Sequence, residues 1–555
     1  MSGPRIADDV DQLVARHIQP GMHLHFATTM SRPNALLHAV ARTFRGRGDF
    51  TVSLTAIHST AHALALSGAV RHVITCFLGD TCPTPRPNRL YRELAMGRPF
   101  TAEIWSLFSH TQRLMAAALG QPYAVTRSLL GSDLAAGKPG LYEIPDPGGD
   151  GPSVALLTPL RPDLTLLHGV CADRRGNVVL CAPLGEGAWS AYAASGGVLA
   201  SVERIVADEV VDAQPDRVVV PGRLVRGLCE ARFGAHPQSL RTAEIAGIPG
   251  YLDDYAFIAE VARRCAESTA EAWFEEWIAL PGGHPEYLRR LGPARLAALS
   301  SAGPPPVVQA VPDHEPATES EQLIVLGARA VVGQVLAQGY DTVLAGIGCS
   351  HLAAWLARLL LHRRGHEVKL VAEQGFYGVD PVPGDVFLFS QRHAARSEQL
   401  TGTAEILGGM VAANPRCLGV LSTAEVDEQG GLNTSRLPDG SWITGSGGAN
   451  DIASTADCVV VAPASPRRYV HRVAHLTSPG ARVREVVSQH GRFRRTHPGG
   501  PFELATYLPA SGGPAELVAE HTRWSVATAR AQPEPPVSAD ELALLRHLDP
   551  EGVYR

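Results

Sequence analysis

A glutamate at the end of an apolar segment is the first residue in this sequence that suggests chemistry. The segment reads Lys369-Leu-Val-Ala-Glu373-Gln-Gly375-Phe-Tyr-Gly378, so strand-like residues end in a carboxylate and two glycines permit a sharp turn. An ionised carboxylate in a partly dry pocket can attack a thioester, and a mixed anhydride then divides one difficult exchange into easier covalent steps. Most glutamates are exposed and need no function, so this segment alone is more readily explained as a solvated strand-end residue.

A glycine-rich loop is the second candidate. The sequence WITGSGGANDIA, which begins at Trp442, predicts a strand, a loop and the start of a helix. Backbone N–H groups that glycine leaves accessible can bind a phosphate, a carboxylate or a developing oxyanion. Glycine-rich turns are common, so the loop alone fits an ordinary tight turn equally well.

Two other clusters are better explained as structural. His58 and His62 have the i, i+4 spacing of metal ligands, but they lack the glutamate of the zinc-protease motif and a third ligand, so we predict no metal site. The turn GIGCSH, which begins at Gly346, resembles part of a dinucleotide fingerprint, but a histidine replaces the third glycine. Cys349 in that turn has no neighbour in the sequence that would lower its pKa.

The elements that position these candidates alternate between helix and strand. The predicted order is helix 7–18, strand 23–27, helix 32–44 and strand 50–54 in the first half, and helix 321–338, strand 341–345, helix 351–362 and strand 368–372 in the second. This alternation predicts an α/β fold with two related open parallel-sheet domains. Ligands of such sheets bind at the carboxyl ends of the strands, where both candidates lie.

The length of the chain requires more than one domain. Its 555 residues exceed what one hydrophobic core usually supports. The segment 300–320, SSAGPPPVVQAVPDHEPATES, combines a triple proline with small and acidic residues and is typical of an extended linker. We therefore expect domains over 1–299 and 321–555, joined by a Pro-rich linker over 300–320.

Composition excludes several classes of function. Hydrophobic residues make up 45% of the chain and charged residues 19%, which is typical of a globular protein. The net charge of −6 gives no field that would favour nucleic acid or an anionic membrane. Nine scattered cysteines without a C-x-x-C pair, and no run of about 18 apolar residues, predict a cytoplasmic protein that neither enters a membrane nor carries disulfides.

Several strings in both halves resemble family I CoA-transferases, and the glutaconate CoA-transferase subunits in particular. The α-like strings are FGAHP at 233–237, YLDDY at 251–255, WFEEW at 273–277 and EYLRRLG at 286–292, and the β-like strings are GSGGANDIA at 445–453, TSPG at 477–480 and DPEGVYR at 549–555. The resemblance covers nearly the whole chain and implies that two subunits are fused through the linker.

The resemblance implies roles for both candidates. Glu373 matches the catalytic glutamate of the family, and Gly447, Gly448 and Ala449 match a loop whose backbone contacts the thioester. It implies a ping-pong CoA-transferase in which Glu373 forms first an anhydride and then a glutamyl-CoA thioester, in a site between the halves. Coenzyme A is then a substrate, no metal or permanently bound cofactor is expected, the partners are an acyl-CoA and a small carboxylic acid, and a homo-oligomer is left open.

The segment His23–Thr29 departs from the resemblance, since relatives commonly have a glycine-rich loop there. Its side chains are expected to narrow or re-polarise the acyl pocket, and Phe26 within it is a predicted substrate-binding residue. Thr81 is another, because it falls near a substrate-contacting serine of the α-type subunit. Gln374 stands where relatives often carry serine or asparagine.

Two alternatives to CoA transfer stay open. One is an acyl-CoA hydrolase or decarboxylase on the same scaffold, which the retention of Glu373 disfavours. The other is a noncatalytic CoA-binding protein. The sequence names neither the donor nor the acceptor acid.

Overall fold

Each half of the chain forms a large, mostly parallel sheet. The computed structural model describes residues 3–82, 84–149, 151–300, 310–312 and 314–555. Within these residues the first sheet has ten strands, of which eight are parallel. In spatial order they are Arg5–Ile6, Val225–Glu230, Val198–Ile205, Leu164–Ala172, His23–Phe26, Phe50–Ser53, Val70–Thr75 and Thr101–Ile104.

Smaller strands and a set of helices complete the first half. Val178–Val179 and Val218–Val220 extend the large sheet in antiparallel fashion, and Ala124–Thr126, Val154–Leu157 and Leu141–Ile144 form a separate antiparallel sheet. The helices are Val10–His17, Asn34–Thr43, Ala63–Leu66, Leu107–Ala118, Trp189–Ala193, Asp208–Asp212, Tyr255–Ala266, Ala270–Trp277, Gly283–Leu291 and Pro293–Leu299.

The second sheet has a parallel centre and antiparallel pairs towards both edges. Its described strands, in spatial order, are Gln399–Leu400, Phe376–Tyr377, Lys369–Ala372, Thr342–Ala345, Cys417–Leu421, Asp457–Val461, Val483–Val487, Gly491–Arg494, Glu503–Tyr507 and Gln532–Pro533. Beside it lies a small sheet of Leu432–Asn433, Glu425–Asp427 and Tyr469–Val470. The helices are Glu319–Gln338, Cys349–Arg363, Ala449–Thr455, Pro514–His521 and Ala539–Leu548, together with the π-helix Ala404–Ala412.

The α/β fold with two related parallel sheets is confirmed, and the predicted elements agree with the observed ones to within a few residues. The strand Leu164–Ala172 shows why an apolar run predicts a central parallel strand. All of its residues are buried, and it lies between two parallel neighbours. The helix Glu319–Gln338 begins at a capping box, in which Thr318 Oγ1 accepts from the Glu321 N–H at 3.2 Å and the Glu321 side chain accepts from the Thr318 N–H at 2.9 Å.

This capping box also limits the predicted linker. Residues 301–309 and 313 of the 300–320 segment lie outside the described residues. The helix begins at Glu319, directly after its cap at Thr318, so the last two residues of the segment, 319 and 320, belong to the helix. Among the described helices, none combines the length and the apolar character needed to cross a bilayer.

The two halves contact each other beside the glycine-rich loop. Phe77 and Gly445 form an antiparallel bridge, and the Leu78 N–H donates to the Thr444 carbonyl at 2.7 Å. Trp442 of the second half is buried in the hydrophobic core of the first, and its indole N–H donates to the Leu78 carbonyl at 3.2 Å. The carboxyl ends of strands from both sheets therefore meet at one interface.

Candidate active site

A cavity of about 640 Å³ lies at this interface, and residues of both halves line it. The structure brings five of the six residues predicted from the sequence to its wall: Glu373, Gly447, Gly448, Ala449 and Thr81. These residues are up to 368 positions apart in the sequence, from 81 to 449, so the cavity exists only where the two halves meet. Its volume is in the range typical of small-molecule sites.

The sixth residue, Phe26, lies elsewhere. It is 2% exposed and packs in the hydrophobic core of the first half, opposite Leu166 on the neighbouring strand, and it is not among the residues that line the cavity. Thr28 and Thr29, which follow the strand, line the cavity instead. The segment His23–Thr29 therefore contributes two threonines to the cavity wall rather than an aromatic ring.

Glu373 is positioned by a tight turn after the strand Lys369–Ala372. The Gly375 N–H donates to the Ala372 carbonyl at 3.1 Å, which closes the turn. Gly375 has φ +117°, and a Cβ there would fall 2.2 Å from the Thr401 carbonyl oxygen, so only glycine fits. The turn places the Glu373 carboxyl at the carboxyl end of its strand and on the cavity wall.

Gly448 meets this carboxyl directly. Its backbone N–H lowers the pKa of Glu373, and a Cβ at this position would fall 2.0 Å from Glu373 Oε2. The N–H of Gly447 donates instead to the Cys76 carbonyl at 3.1 Å, and the N–H of Ala449 to the Ser446 carbonyl at 3.0 Å. Gly448 is therefore the loop residue whose N–H meets the glutamate, whereas Gly447 and Ala449 use their N–H groups to shape the loop.

Asp451 connects the loop to the first half. It lies in the short helix Ala449–Thr455 and accepts from Ser106 Oγ at 2.5 Å and from the Phe108 N–H at 2.9 Å. Burial raises the pKa of Asp451 to about 6, although these hydrogen bonds oppose the shift. Asp451 belongs to the glycine-rich string, but its role is not visible in the sequence, because its partners are 343 or more positions away.

Burial dominates the acidity of Glu373. It raises the pKa of Glu373 to about 8, the negative charge of Asp451 raises it further, and the Gly448 N–H opposes both. In the free site the carboxyl is therefore mostly protonated at neutral pH. When it ionises, it is a more basic carboxylate than an exposed glutamate, and this favours attack on a carbonyl carbon.

The cavity wall also carries four arginines that the sequence patterns did not single out: Arg32, Arg86, Arg467 and Arg468. Arg86 and Arg467 are exposed, whereas Arg32 and Arg468 are half-buried. Arg468 donates to the Thr423 carbonyl at 2.7 Å. The sequence around each arginine does not indicate a binding site, because only the folded structure shows that the four residues line one cavity.

Of the two histidines rejected as metal ligands, His58 lines the cavity and His62 lies outside its lining. His62 is buried and contacts the Tyr91 hydroxyl at 2.8 Å and Asp80 at 3.0 Å. In the part of the chain that the structure describes, no three histidine, cysteine or acidic side chains are placed to hold a metal ion. Burial raises the pKa of Cys349 to about 11 and that of Cys76 well above its usual range, so both remain thiols.

Comparisons with known proteins agree with this geometry. The family model described as Coenzyme A transferase matches residues 7–231. A 3-oxoadipate CoA-transferase subunit of Pseudomonas knackmussii is 37% identical over 209 residues, which span 37% of this chain and 71% of that relative. The chain belongs to the coenzyme A transferase family. It is therefore an enzyme that transfers coenzyme A, and coenzyme A is its substrate.

Two further relatives extend the likeness. A glutaconate CoA-transferase subunit of Acidaminococcus fermentans is 24% identical over 303 residues, or 52% of this chain and 92% of that relative. An acyl-CoA transferase of Escherichia coli O157:H7, solved as a thioester complex with CoA, superposes with a TM-score of 0.64 at 14% identity over 96% of each chain. At that identity the likeness concerns the fold, and it extends over both halves of the CoA-transferase.

Proposed function

We propose that this CoA-transferase acts by a ping-pong mechanism with Glu373 as the nucleophile. The observation that carries the proposal is the contact between the Glu373 carboxyl and the Gly448 N–H on the wall of the cavity between the halves. A carboxylate with a raised pKa beside a fixed backbone donor can both attack a thioester and have the developing charge stabilised.

The bonds exchange in two matched stages. A Glu373 carboxylate oxygen attacks the thioester carbonyl carbon, the C–S bond breaks, and CoA leaves as a thiolate from an acyl-glutamyl anhydride. The thiolate then attacks the Glu373 carbonyl carbon and releases the acid as a carboxylate, which leaves a glutamyl-CoA thioester. An acceptor carboxylate attacks this thioester and the same steps run in reverse, so each step replaces one activated acyl bond with another.

The surrounding residues support this sequence by position. The Gly448 N–H favours the ionised form of the reacting carboxyl, and Gly447 and Ala449 hold the loop in shape through their own hydrogen bonds. The Thr81 hydroxyl lies on the same wall and is our candidate for contact with the acid. Enclosure of the site matters because water would hydrolyse the anhydride and waste the bond.

We also propose that residues 1–299 and 321–555 correspond to α-like and β-like subunits fused through 300–320. Each large sheet is built from strands of one half, and the match to the family model, residues 7–231, falls within the first half. In this arrangement the β-like half supplies Glu373 and the glycine-rich loop, and the α-like half supplies the facing wall.

The decisive experiment is E373A, with E398A as the matched control. Glu398 is an exposed glutamate of the same half that pairs with Lys369 outside the cavity. E373A should lose CoA exchange. In the wild type and in E398A, hydroxylamine added after incubation with an acyl-CoA should convert Glu373 to a hydroxamate. Mass spectrometry of the peptide that contains Glu373 would detect this product. Near-normal CoA exchange in E373A would overturn the assignment of Glu373 as nucleophile. Release of free CoA by the wild type without an acceptor acid would indicate a hydrolase.

A further inference from the structure

A short loop of the first half holds the turn that carries Glu373. We call this loop, residues 184–187, the clasp. The Gly185 N–H donates to the Gln374 carbonyl at 3.1 Å, and the Gly185 carbonyl accepts from the Thr403 N–H at 2.5 Å. The clasp therefore contacts the residue next to Glu373 across the interface between the halves.

A third hydrogen bond extends this contact to the segment that packs on the turn. The Leu184 N–H donates to the Thr401 carbonyl at 2.8 Å, and the Thr401 N–H donates to the Gly375 carbonyl at 2.8 Å. Backbone hydrogen bonds hold their partners closely, because each tolerates only a narrow range of distance and angle. The clasp is thus bonded both to the turn and to the chain that supports it.

Glu186 anchors the clasp in the first half. Its side chain is buried, and its Oε1 contacts His25 Nε2 at 2.6 Å and accepts from the Thr28 N–H at 3.1 Å. His25 Nδ1 contacts Ser53 Oγ at 2.9 Å. His25 and Thr28 belong to the segment His23–Thr29, which departs from the resemblance. The buried histidine of this segment therefore serves as the anchor point of the clasp.

Two features of the clasp indicate that its position is tightly set. Gly185 has φ +54°, and a Cβ there would fall 2.1 Å from the Thr28 carbonyl oxygen, so only glycine lets the clasp approach this closely. Glu186 Oε2 is buried without a hydrogen-bond partner in the described part of the chain. An unpaired buried carboxyl oxygen costs stability, so stability alone does not explain the placement of Glu186.

From this arrangement we propose that Glu186 is a positioning residue, which fixes the clasp against the turn and so holds the Glu373 carboxyl where it attacks the thioester. The proposal rests on the assignment of Glu373 as nucleophile. Glu186 lies outside the described lining of the cavity, so it acts on the reaction through the clasp. A displacement of a reacting group by about 1 Å can cost on the order of 10²-fold in rate. Loss of Glu186 should therefore slow the chemistry and leave binding of the acyl-CoA unchanged.

The charge of Glu186 offers a second route to the cavity. Arg32 lines the cavity, burial lowers its pKa to about 10, and the charge of Glu186 opposes this shift. The variant E186Q separates the two routes, because glutamine loses the charge while its Oε1 can still accept from His25 Nε2 and from the Thr28 N–H. Under our proposal E186Q should keep most of the rate that E186A loses.

The kinetic test measures kcat and KM with acetyl-, butyryl- and glutaryl-CoA as donors and propionate as acceptor. In E186A, kcat should fall on the order of 10²-fold while KM for the donor stays unchanged. G185A should give the same result, since its Cβ would push the clasp away from Thr28. The matched control is E203A, which removes another buried glutamate of the first half, in contact with His168 Nε2 at 2.9 Å. It should lower the melting temperature and leave kcat per folded enzyme unchanged.

Amide hydrogen exchange tests the clasp without any substrate. In E186A and G185A, the peptide that contains residues 401–403 should exchange faster than in the wild type and in E203A, because the Thr403 N–H would lose its acceptor on Gly185. Unchanged exchange of this peptide in both variants would overturn the proposal.

Two kinetic outcomes would also overturn it. A rise in KM with kcat unchanged would mean that Glu186 serves binding of the donor, and an E186Q variant as slow as E186A would mean that its charge acts rather than the clasp. Hydroxylamine trapping in the wild type reports Glu373 separately. If trapping fails with every donor, the assignment of Glu373 fails, whereas exchange of the 401–403 peptide still shows whether Glu186 fixes the clasp.

Discussion

The raised pKa of Glu373 predicts a pH-dependent transferase. As the proposed nucleophile, Glu373 must be ionised, and burial together with Asp451 raises its pKa to about 8. At pH 7 only about one-tenth of the free enzyme then carries the carboxylate. We expect kcat/KM to rise about tenfold between pH 7 and its alkaline plateau, with an apparent pKa near 8, because kcat/KM reports the ionisation of the free enzyme.

The variant D451N tests the electrostatic part of this shift. Asp451 has a pKa of about 6, so it is charged when Glu373 ionises. Asparagine can keep the hydrogen bonds, since its oxygen can accept from the Phe108 N–H and its amide can donate to Ser106 Oγ. Loss of one like charge should lower the apparent pKa of Glu373 on the order of one unit. About half of the enzyme would then be ionised at pH 7.

The assay is a pH–rate profile from pH 5.5 to 9.5 under kcat/KM conditions, with a donor whose chemistry does not titrate in that range. Thermal unfolding at each pH identifies any loss of folded enzyme. A flat wild-type profile, or an apparent pKa near the ordinary glutamate value, would show that burial does not control the nucleophile. An unchanged apparent pKa in D451N would show that Asp451 acts only as a structural link between the halves.

Three further outcomes follow from the same contacts. G448A should lose transferase activity on the order of 10²-fold, because its Cβ would displace the Glu373 carboxylate, whereas G409A, with no atom within 4 Å of its added Cβ, should not. E373Q should have a higher melting temperature than the wild type, by a margin that grows from about pH 4.5 to about pH 8. In that window the unfolded wild-type chain releases the Glu373 proton whereas the folded protein keeps it, so the wild type loses stability and E373Q does not. W442A should lose about 3–5 kcal/mol of unfolding free energy in denaturant titrations, and W442F less, because Trp442 fills the core of the other half and donates to Leu78.

Local patterns in the sequence predicted much of the fold and part of the site. The alternation of helices and strands depends on residues close in sequence, so its periodicity is readable without the structure. Glu373 and Gly448 each lie in a short distinctive string. The string of Glu373 follows a strand as predicted, whereas the strand predicted at Trp442 is absent, because only isolated bridges at Trp442 and Gly445 precede the helix Ala449–Thr455. Phe26 was harder to place because its strand is enclosed by parallel neighbours, and hydrophobicity alone does not show which side chains face a cavity.

The remaining site residues depend on contacts between distant parts of the chain. Asp451 is held by Ser106 and Phe108, and Arg32 lies on a cavity wall that the second half completes. Neither residue belongs to a charge pattern that could be recognised locally. The pKa and the contacts of each side chain depend on its surroundings rather than on its residue type, and those surroundings form only when the two halves pack together.

The glycine-rich loop shows why a covalent connection between the halves matters for chemistry. The first half fixes the loop through four backbone groups: the Cys76 carbonyl accepts from Gly447, the Leu107 N–H donates to Gly447, the Phe108 N–H to Asp451, and the Leu129 N–H to Asn450 Oδ1. Separation of the halves would release the Gly448 donor and expose Asp451 to water, which would lower the pKa of Glu373 and loosen the geometry around it. Because the two halves belong to one chain, their association is intramolecular, and its extent does not depend on the concentration of the protein. The acidity of Glu373 is therefore coupled to the interface, and this coupling holds however dilute the enzyme is.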